Sequence, residues 1–289
     1  MKKLTIAKGN DIYEILVQDI KYICGENDET KFDIIRSLSM YFNDIKSSEY
    51  AEEKNNIAII YLDEQKVHIK NSMYFYVHKY YSLAQEYKLP SKSLLQKYFE
   101  TLLGAEEFSD TIQTLNYLFE SLSQELNEYS AIDSQFTCMV PKQLLKILTP
   151  AYMEDFMTKN EFDFTSEEII LLQLELIKYI VEHQQIEVCI ICVEISRLTQ
   201  SIYKLLKQIK NAIILVVLDK NPFIDRDIEK YYLCEQDSLD LGSDEDLYTK
   251  ICDNDYKLLT LEEGKIIMEN YLFNNEHKDD RFIQKILMK

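Results

Sequence analysis

Apolar residues recur along this chain in two rhythms, and the switch between them divides it. Up to about residue 70, and again after Thr165, they form short runs separated by polar turns. Between those limits they return every third or fourth position. LTIA and IYEILV, joined at Gly9-Asn10, predict a hairpin. Ile20–Tyr41, IKYICGENDETKFDIIRSLSMY, reads as a short apolar strand, a polar turn opened by Gly25, and a helix. IAIIYL at 57–62 predicts a buried strand, with VHI at 67–69 as its short partner.

From Ser72 to about Thr158 the spacing predicts helices. Tyr74, Val77, Tyr81 and Ala84 keep one face, and Leu94, Leu95, Tyr98, Phe99 and Leu102 another. Pro90-Ser91 marks a break and an N-cap, and Gly104 a helix end. A long helix is predicted from Ser109 to about Tyr129, with Ile112, Leu115, Leu118, Phe119, Leu122 and Leu126 inward. Pro141 and Pro150 each sit where a helix would start. After Thr165 the elements alternate: a helix capped by Ser166, the strand VCIICV, a helix from Leu198 to Ile209, and the strand AIILVVL closed by Asp219. Two continuously apolar runs separated by a helix predict parallel strands covered on both faces. From about Leu239 the chain is acidic and reads as short helices. An α/β domain interrupted by a helical insertion accounts for this order more economically than three domains.

The strand–turn–helix at Ile20–Tyr41 has the layout of a phosphate-binding loop, G-x-x-x-x-G-K-[ST]. Gly25 and Lys31 are kept, but Thr30 replaces the second glycine and Phe32 the hydroxyl residue. A side chain at Thr30 obstructs close backbone approach, and Phe32 has no oxygen for magnesium. Glu26, Asp28 and Glu29 line the turn that would cradle phosphate. The layout is present and the chemistry is not, so no nucleotide is expected there and Lys31 reads as structural. Glu194 and Asp219, each ending an apolar run, are the carboxylates that a working hydrolase would need for magnesium, although acids also end strands for ordinary turn reasons.

Charge alters the picture through its distribution. The 289-residue chain has a net charge of −18, which on average disfavours nucleic acid. From Gln65 to Phe99, however, six lysines and two histidines face one carboxylate, Glu86, while from Asp219 onward 18 carboxylates face 10 lysines and arginines. Lys66, Lys70, Lys79, Lys88, Lys92 and Lys97 alternate with Tyr74, Tyr76, Tyr80, Tyr87 and Tyr98. Cations interleaved with aromatics suit a phosphate backbone, and a solvated lysine face over a tyrosine-rich core suits the composition equally well. Lys142 with Lys146, four apart, and Lys204 with Lys207 are weaker versions. Glu125, Glu128 and Asp133 could offer oxygen ligands to calcium, but without EF-hand spacing they read first as an exposed acidic run.

Other chemistry finds little support. The histidines at 68, 78, 183 and 277 form no metal-binding spacing, and no G-x-S-x-G occurs. Cys189 and Cys192 lie three apart on a predicted strand, facing opposite sides, so the cysteines read as buried, reduced thiols of a cytoplasmic protein. No apolar run approaches the roughly 20 residues of a membrane-spanning helix.

A degraded phosphate loop, a helical insertion, and then FTSEEIILLQLELIKYIVEHQQIEVCIICVEISRLTQSIYKLLKQIKNAIILVVLDKN together resemble the Csn family of CRISPR-associated proteins. That family is the accessory spacer-acquisition subunit of type II-A systems. The resemblance covers roughly residues 1 to 235 and rests on LELIKYIVEHQQ, EVCIICVEI, RLTQSIYKLL, AIILVVLDKN and RDIEKYYL, in pattern and order. It implies an α/β head related to ATPase heads, degenerate in its P-loop, over residues 1–70 and 162–238. An all-helical leg would take 71–161, and 239–289 would be the acidic extension of a longer subtype. It further implies a ring-shaped homotetramer that encloses double-stranded DNA on a basic inner surface, prefers free ends, and hydrolyses no nucleotide. The implied partners are the adaptation integrase and the effector nuclease. Calcium would be held by acids of the leg, the region of Glu125, Glu128 and Asp133. The alternatives are an ATP-binding protein with an unusual loop and a pure interaction scaffold.

Overall fold

Ile213–Leu218 is apolar and buried at every position. Such a run requires cover on both faces and hydrogen-bonding neighbours on both edges. In the computed structural model, which describes residues 1–43, 57–154, 157–159, 161–219, 224–252 and 259–274, a six-stranded sheet supplies them. The chain divides into two units, Met1–Lys79 with Ile186–Lys289, and Tyr80–Gln185. The fold class is mixed α/β.

The first unit begins with the antiparallel hairpin β1 (Lys2–Lys8) and β2 (Asp11–Val17), turned at Gly9-Asn10 as the spacing predicts. β3 (Ile20–Cys24) and helix α1 (Asp28–Phe42) follow. β4 (Ile59–Leu62) pairs with β1 and with the short β5 (Gln65–Lys66), giving an antiparallel sheet of order β2-β1-β4-β5. Asp63 and Glu64 turn that last hairpin at positive φ (48° and 66°), as a tight two-residue hairpin turn requires. The pairing with β4 therefore falls at Gln65–Lys66, two residues earlier than the expected 67–69. Ile69–Asn71 is a 3-10 turn.

Ser72–His78 is a strand, β6, and not the helix its spacing suggested. It pairs in parallel with β9 (Val188–Ile195) over its whole length, from Ser72 opposite Val188 to His78 opposite Glu194. Phe75 and Val77 are buried, two apart, as on a strand. The aromatic and β-branched run MYFYV fits a pleated surface, and the three-residue step from Tyr74 to Val77 only imitated a helical face.

Helix α7 (Gln200–Gln208) links β9 to β10 (Ile213–Leu218), and β11 (Tyr231–Cys234) and β12 (Ser238–Asp240) complete the sheet. The order is β12-β11-β3-β10-β9-β6, all parallel except β12. Helix α1 shares one core with both sheets. Ile34, Leu38, Tyr41 and Phe42 cluster with Leu4 and Ile6 of the antiparallel sheet and with Ile190, Cys192 and Leu215 of the parallel one. Each such side chain contributes about 1.5–3 kcal/mol on burial.

The second unit is largely helical: α2 (Leu83–Glu86), α3 (Leu94–Leu103), α4 (Glu106–Glu128), α5 (Pro141–Leu144) and α6 (Ser166–His183). Ser93 rather than Ser91 caps α3, and Thr165 rather than Ser166 caps α6, where Glu168 closes a capping box. No helix starts at Pro150; Met153–Glu154 (β7) and Met157–Thr158 (β8) pair as a small hairpin. The segment after α4 folds back along it. Asn116 bonds Met139 through both N–H and C=O, Ser123 accepts from the Phe136 N–H, and Phe119 packs on Phe136. Leu118, Leu122 and Leu126, expected to face inward, are 62%, 43% and 45% exposed.

Residues 239–274, acidic by composition, belong to the first unit. After β12 come α8 (Asp244–Cys252) and α9 (Leu261–Asn274), which bury Leu247, Ile251, Met268, Leu272 and Phe273. Asp244, Glu245 and Asp246 lie in the first turn of α8 and Glu262 and Glu263 in that of α9, where they complement helix N-termini. Asp240 is anchored more deeply. Its carboxylate pairs with the buried Lys21 ammonium and accepts from the N–H groups of Leu16 (2.6 Å) and Gly242 (2.8 Å). Lys21 also donates to the Glu229 carbonyl (2.8 Å). Burial pushes the Lys21 ammonium down and the Asp240 carboxyl up, each against the attraction of its partner.

Removing one partner leaves the other charge buried alone. Lys21→Met is therefore expected to destabilise the protein by about 3–5 kcal/mol, and adding Asp240→Asn to recover a large part of that loss. Urea-unfolding midpoints of the two variants test this, and additive losses would show that the pair is not coupled.

Candidate functional site

The loop after β3 is built on Gly25, whose φ is 119°. A Cβ at this position would lie 2.2 Å from the Cys234 carbonyl oxygen. The glycine therefore serves the close approach of β11, a role different from admitting phosphate. The loop's donors are spent in the same direction. The Asn27 N–H donates to the Cys234 carbonyl (2.9 Å), the Asn27 side-chain amide to the Glu235 carbonyl (2.9 Å), and the Glu26 N–H reaches the Glu235 carboxylate (3.4 Å). Asn27 also caps α1 by accepting from the Thr30 N–H (3.0 Å).

Lys31 is buried. Its ammonium donates to the carbonyls of Gly25 (2.9 Å) and Leu218 (3.5 Å) and pairs with Asp28 (2.7 Å). It ties together the carboxyl ends of β3 and β10. Lys31 holds the Asp28 carboxyl below its usual range, while burial raises that of Glu235. Phe32 is 54% exposed, with the Arg36 guanidinium 5.7 Å from its ring centre. Glu235, distant in sequence, was not foreseen as part of this loop. No local signal marks it, because only the β11–β3 pairing brings it there.

The two carboxylates considered for magnesium lie at the carboxyl ends of adjacent parallel strands, Glu194 in β9 and Asp219 after β10. Glu194 accepts the Tyr76 hydroxyl hydrogen bond. Burial, followed by Glu194, raises the Tyr76 phenol, and burial lowers the neighbouring His78.

The eight lysines proposed for phosphate contact fall in both units. Lys66 on β5, Lys70 in the 3-10 turn and Lys79 after β6 belong to the first unit. Lys66 and Lys70 line one open cavity together with His68. Lys88, Lys92, Lys97, Lys142 and Lys146 belong to the second, between α2 and α3, on α3, and on or just after α5. All except the half-buried Lys97 are exposed. Lys66, Lys70, Lys88, Lys92, Lys142 and Lys146 form no ion pair with a carboxylate among the described residues.

The interleaved tyrosines divide differently. Tyr80 is 80% exposed, whereas Tyr74 stacks on Phe42 and bonds Ser39, and Tyr98 packs on Tyr179. The Tyr87 oxygen accepts from the Tyr152 N–H. Tyr74, Tyr87 and Tyr98 are therefore half-buried in internal contacts, and Tyr80 is the most exposed of the five. Glu125 and Glu128 lie on the last turns of α4, and Asp133, in the following loop, accepts from the Asn127 amide (2.8 Å). Among the described residues no group of three or more His, Cys, Asp or Glu side chains is placed to hold a metal ion. Among them, too, no helix is long and apolar enough to cross a membrane.

No family model matches the chain, and no curated protein matches it. Among solved structures, the crystal structure of Stu0660 of Streptococcus thermophilus superposes with a TM-score of 0.67 at 15% identity, covering 93% of this chain and 85% of that one. The two chains share a fold. An SmcHead bound to the C-winged helix domain of ScpA gives a looser likeness, with a TM-score of 0.40 at 11% identity over 83% of this chain and 98% of that one.

If Gly25 serves the approach of β11, Gly25→Ala should destabilise the protein by about 2 kcal/mol or more, from positive φ and a backbone clash together. An unchanged unfolding midpoint would show that β11 does not close on the loop.

Proposed function

We propose that this protein binds double-stranded DNA at its ends, without catalysis and without reading sequence, as a ring-shaped homotetramer acting in CRISPR spacer acquisition. The observation that carries the reading is the set of exposed lysines Lys66, Lys70, Lys88, Lys92, Lys142 and Lys146, which form no ion pair with a carboxylate among the described residues in a chain of net charge −18. A protein so acidic that keeps one segment basic has segregated its charge. Exposed cations without partners contact phosphates at little desolvation cost. The fold shared with Stu0660 is compatible with the resemblance drawn from residues 1 to 235.

In this reading the strand–turn–helix of residues 20–42 descends from a P-loop of the kind found in ATPase heads and now serves as scaffold. The Lys31 ammonium binds backbone carbonyls and the loop's amides bind β11, which leaves poor provision for a triphosphate. Self-association draws support from α4. Ile112, Phe119 and Leu126, with Leu115, Leu122 and Tyr129, keep a seven-residue repeat along the helix, and Leu122, Leu126 and Tyr129 are exposed. Such a stripe is the seam by which one helix packs on another. The adaptation integrase and effector nuclease are the partners this role would require.

A linear duplex should be retarded in a gel and a closed circle of the same sequence should not. The logarithm of affinity should fall linearly with that of salt concentration. Lys79→Glu, Lys88→Glu and Lys92→Glu together should abolish retardation with assembly intact. Equal retention of circle and linear DNA would sink the threading mechanism, and no binding at low salt would favour a protein scaffold. Micromolar ATP binding by calorimetry would instead favour the nucleotide-binding alternative. In sedimentation, Leu122→Glu with Leu126→Glu should split the tetramer into smaller species. An unchanged assembly would place the contacts elsewhere.

A further inference from the structure

The second unit contains a cavity of about 390 Å³ bounded by α2, α3, α6 and residues 150–152. Five aromatic rings line it, those of Tyr87, Tyr98, Phe99, Tyr152 and Tyr179, and the one charged residue at its wall is Glu175. The rings are held by one another. Tyr98 meets Tyr179 edge-on (5.2 Å between centres, 64° between planes) and Phe99 likewise (5.3 Å, 67°). Tyr87 is fixed by the hydrogen bond it accepts from the Tyr152 N–H (3.0 Å).

Aromatic faces carry negative potential, and a cation over them is attracted. Glu175 adds a full negative charge at the wall, and no lining residue offers a cation to neutralise it. The ligand complementary to these walls has an apolar stem and a positive tip. A planar guanidinium stacks on rings and pairs with a carboxylate at the same time, which an ammonium does less well. A free amino acid would also bring an α-carboxylate, for which the lining has no partner. A residue within a peptide brings none.

We propose that this cavity receives an arginine side chain presented by a partner polypeptide. The site is separate from the lysines assigned to DNA and does not depend on that assignment.

The full chain, labelled at leucine methyl groups, can be titrated by NMR with the capped tripeptide Gly-Arg-Gly and with its citrulline counterpart, the uncharged isostere. The Leu95 and Leu176 methyls, which line the cavity, should shift saturably with the arginine peptide. The citrulline peptide and free arginine should each bind about fivefold or more weakly. Glu175→Gln, an exposed position on α6, should weaken the arginine peptide about threefold or more and leave the citrulline peptide unchanged. Equal affinity for arginine and citrulline would reduce the cavity to an apolar cleft and overturn the proposal. So would shifts confined to leucines other than the four that line the cavity, Leu83, Leu95, Leu172 and Leu176, or no saturable shift up to about 10 mM.

Discussion

Strand β3 is clamped at both ends by what lies beside it, and the rest of the first unit depends on this. At its start the buried Lys21 ammonium holds Asp240 of β12 and the Glu229 carbonyl. At its end Gly25 has no Cβ because the Cys234 carbonyl occupies that space. Between these points β3 runs parallel to both β10 and β11. Closing one end by an ion pair and the other by steric contact sets the register of the sheet's acidic edge. Residues 239–252 and 259–274 are thereby made part of a unit that their composition would place outside it.

The two lysines of this region show how burial decides what a cation does. Lys21 and Lys31 are both nearly inaccessible and both bind backbone carbonyls and an aspartate. Neither is offered to a ligand. Lys66 and Lys70 of the same unit are exposed and keep their ammonium groups in water, where phosphate can displace solvent at little cost. One residue type thus serves as scaffold and as candidate contact within a single unit. The same contrast separates the tyrosines, since Tyr74 and Tyr98 are packed and Tyr80 is open.

Legibility in the sequence followed the range of the forces involved. β9 and β10 were readable because a strand buried on both faces must be apolar at every position. Helix α4 was readable in extent because its period persists over many turns, but its buried face was not. Leu118, Leu122 and Leu126 are apolar whether they face this chain's own core or an absent neighbour. β6 was misread because Tyr74, Val77 and Tyr81 carry a helical interval by coincidence, and only the pairing with β9 separates the two conformations. Glu235 and the aromatic cavity left no local mark at all, since each is assembled from segments far apart in the chain.

By itself the sequence determined that this chain combines α/β elements with a helical segment, that the turn after β3 departs from the phosphate-loop template at Thr30 and Phe32, and that its charge is unevenly spread along the chain. Those properties follow from residue type and spacing, which act over a few neighbours. Tertiary structure decided what Gly25 and Lys31 do, that the acidic residues after β12 pack into the first unit, and which lysines and tyrosines face solvent. Each of those depends on close approach between residues more than two hundred positions apart, as between Lys21 and Asp240 or Gly25 and Cys234. Packing distances of that kind are set by the whole fold.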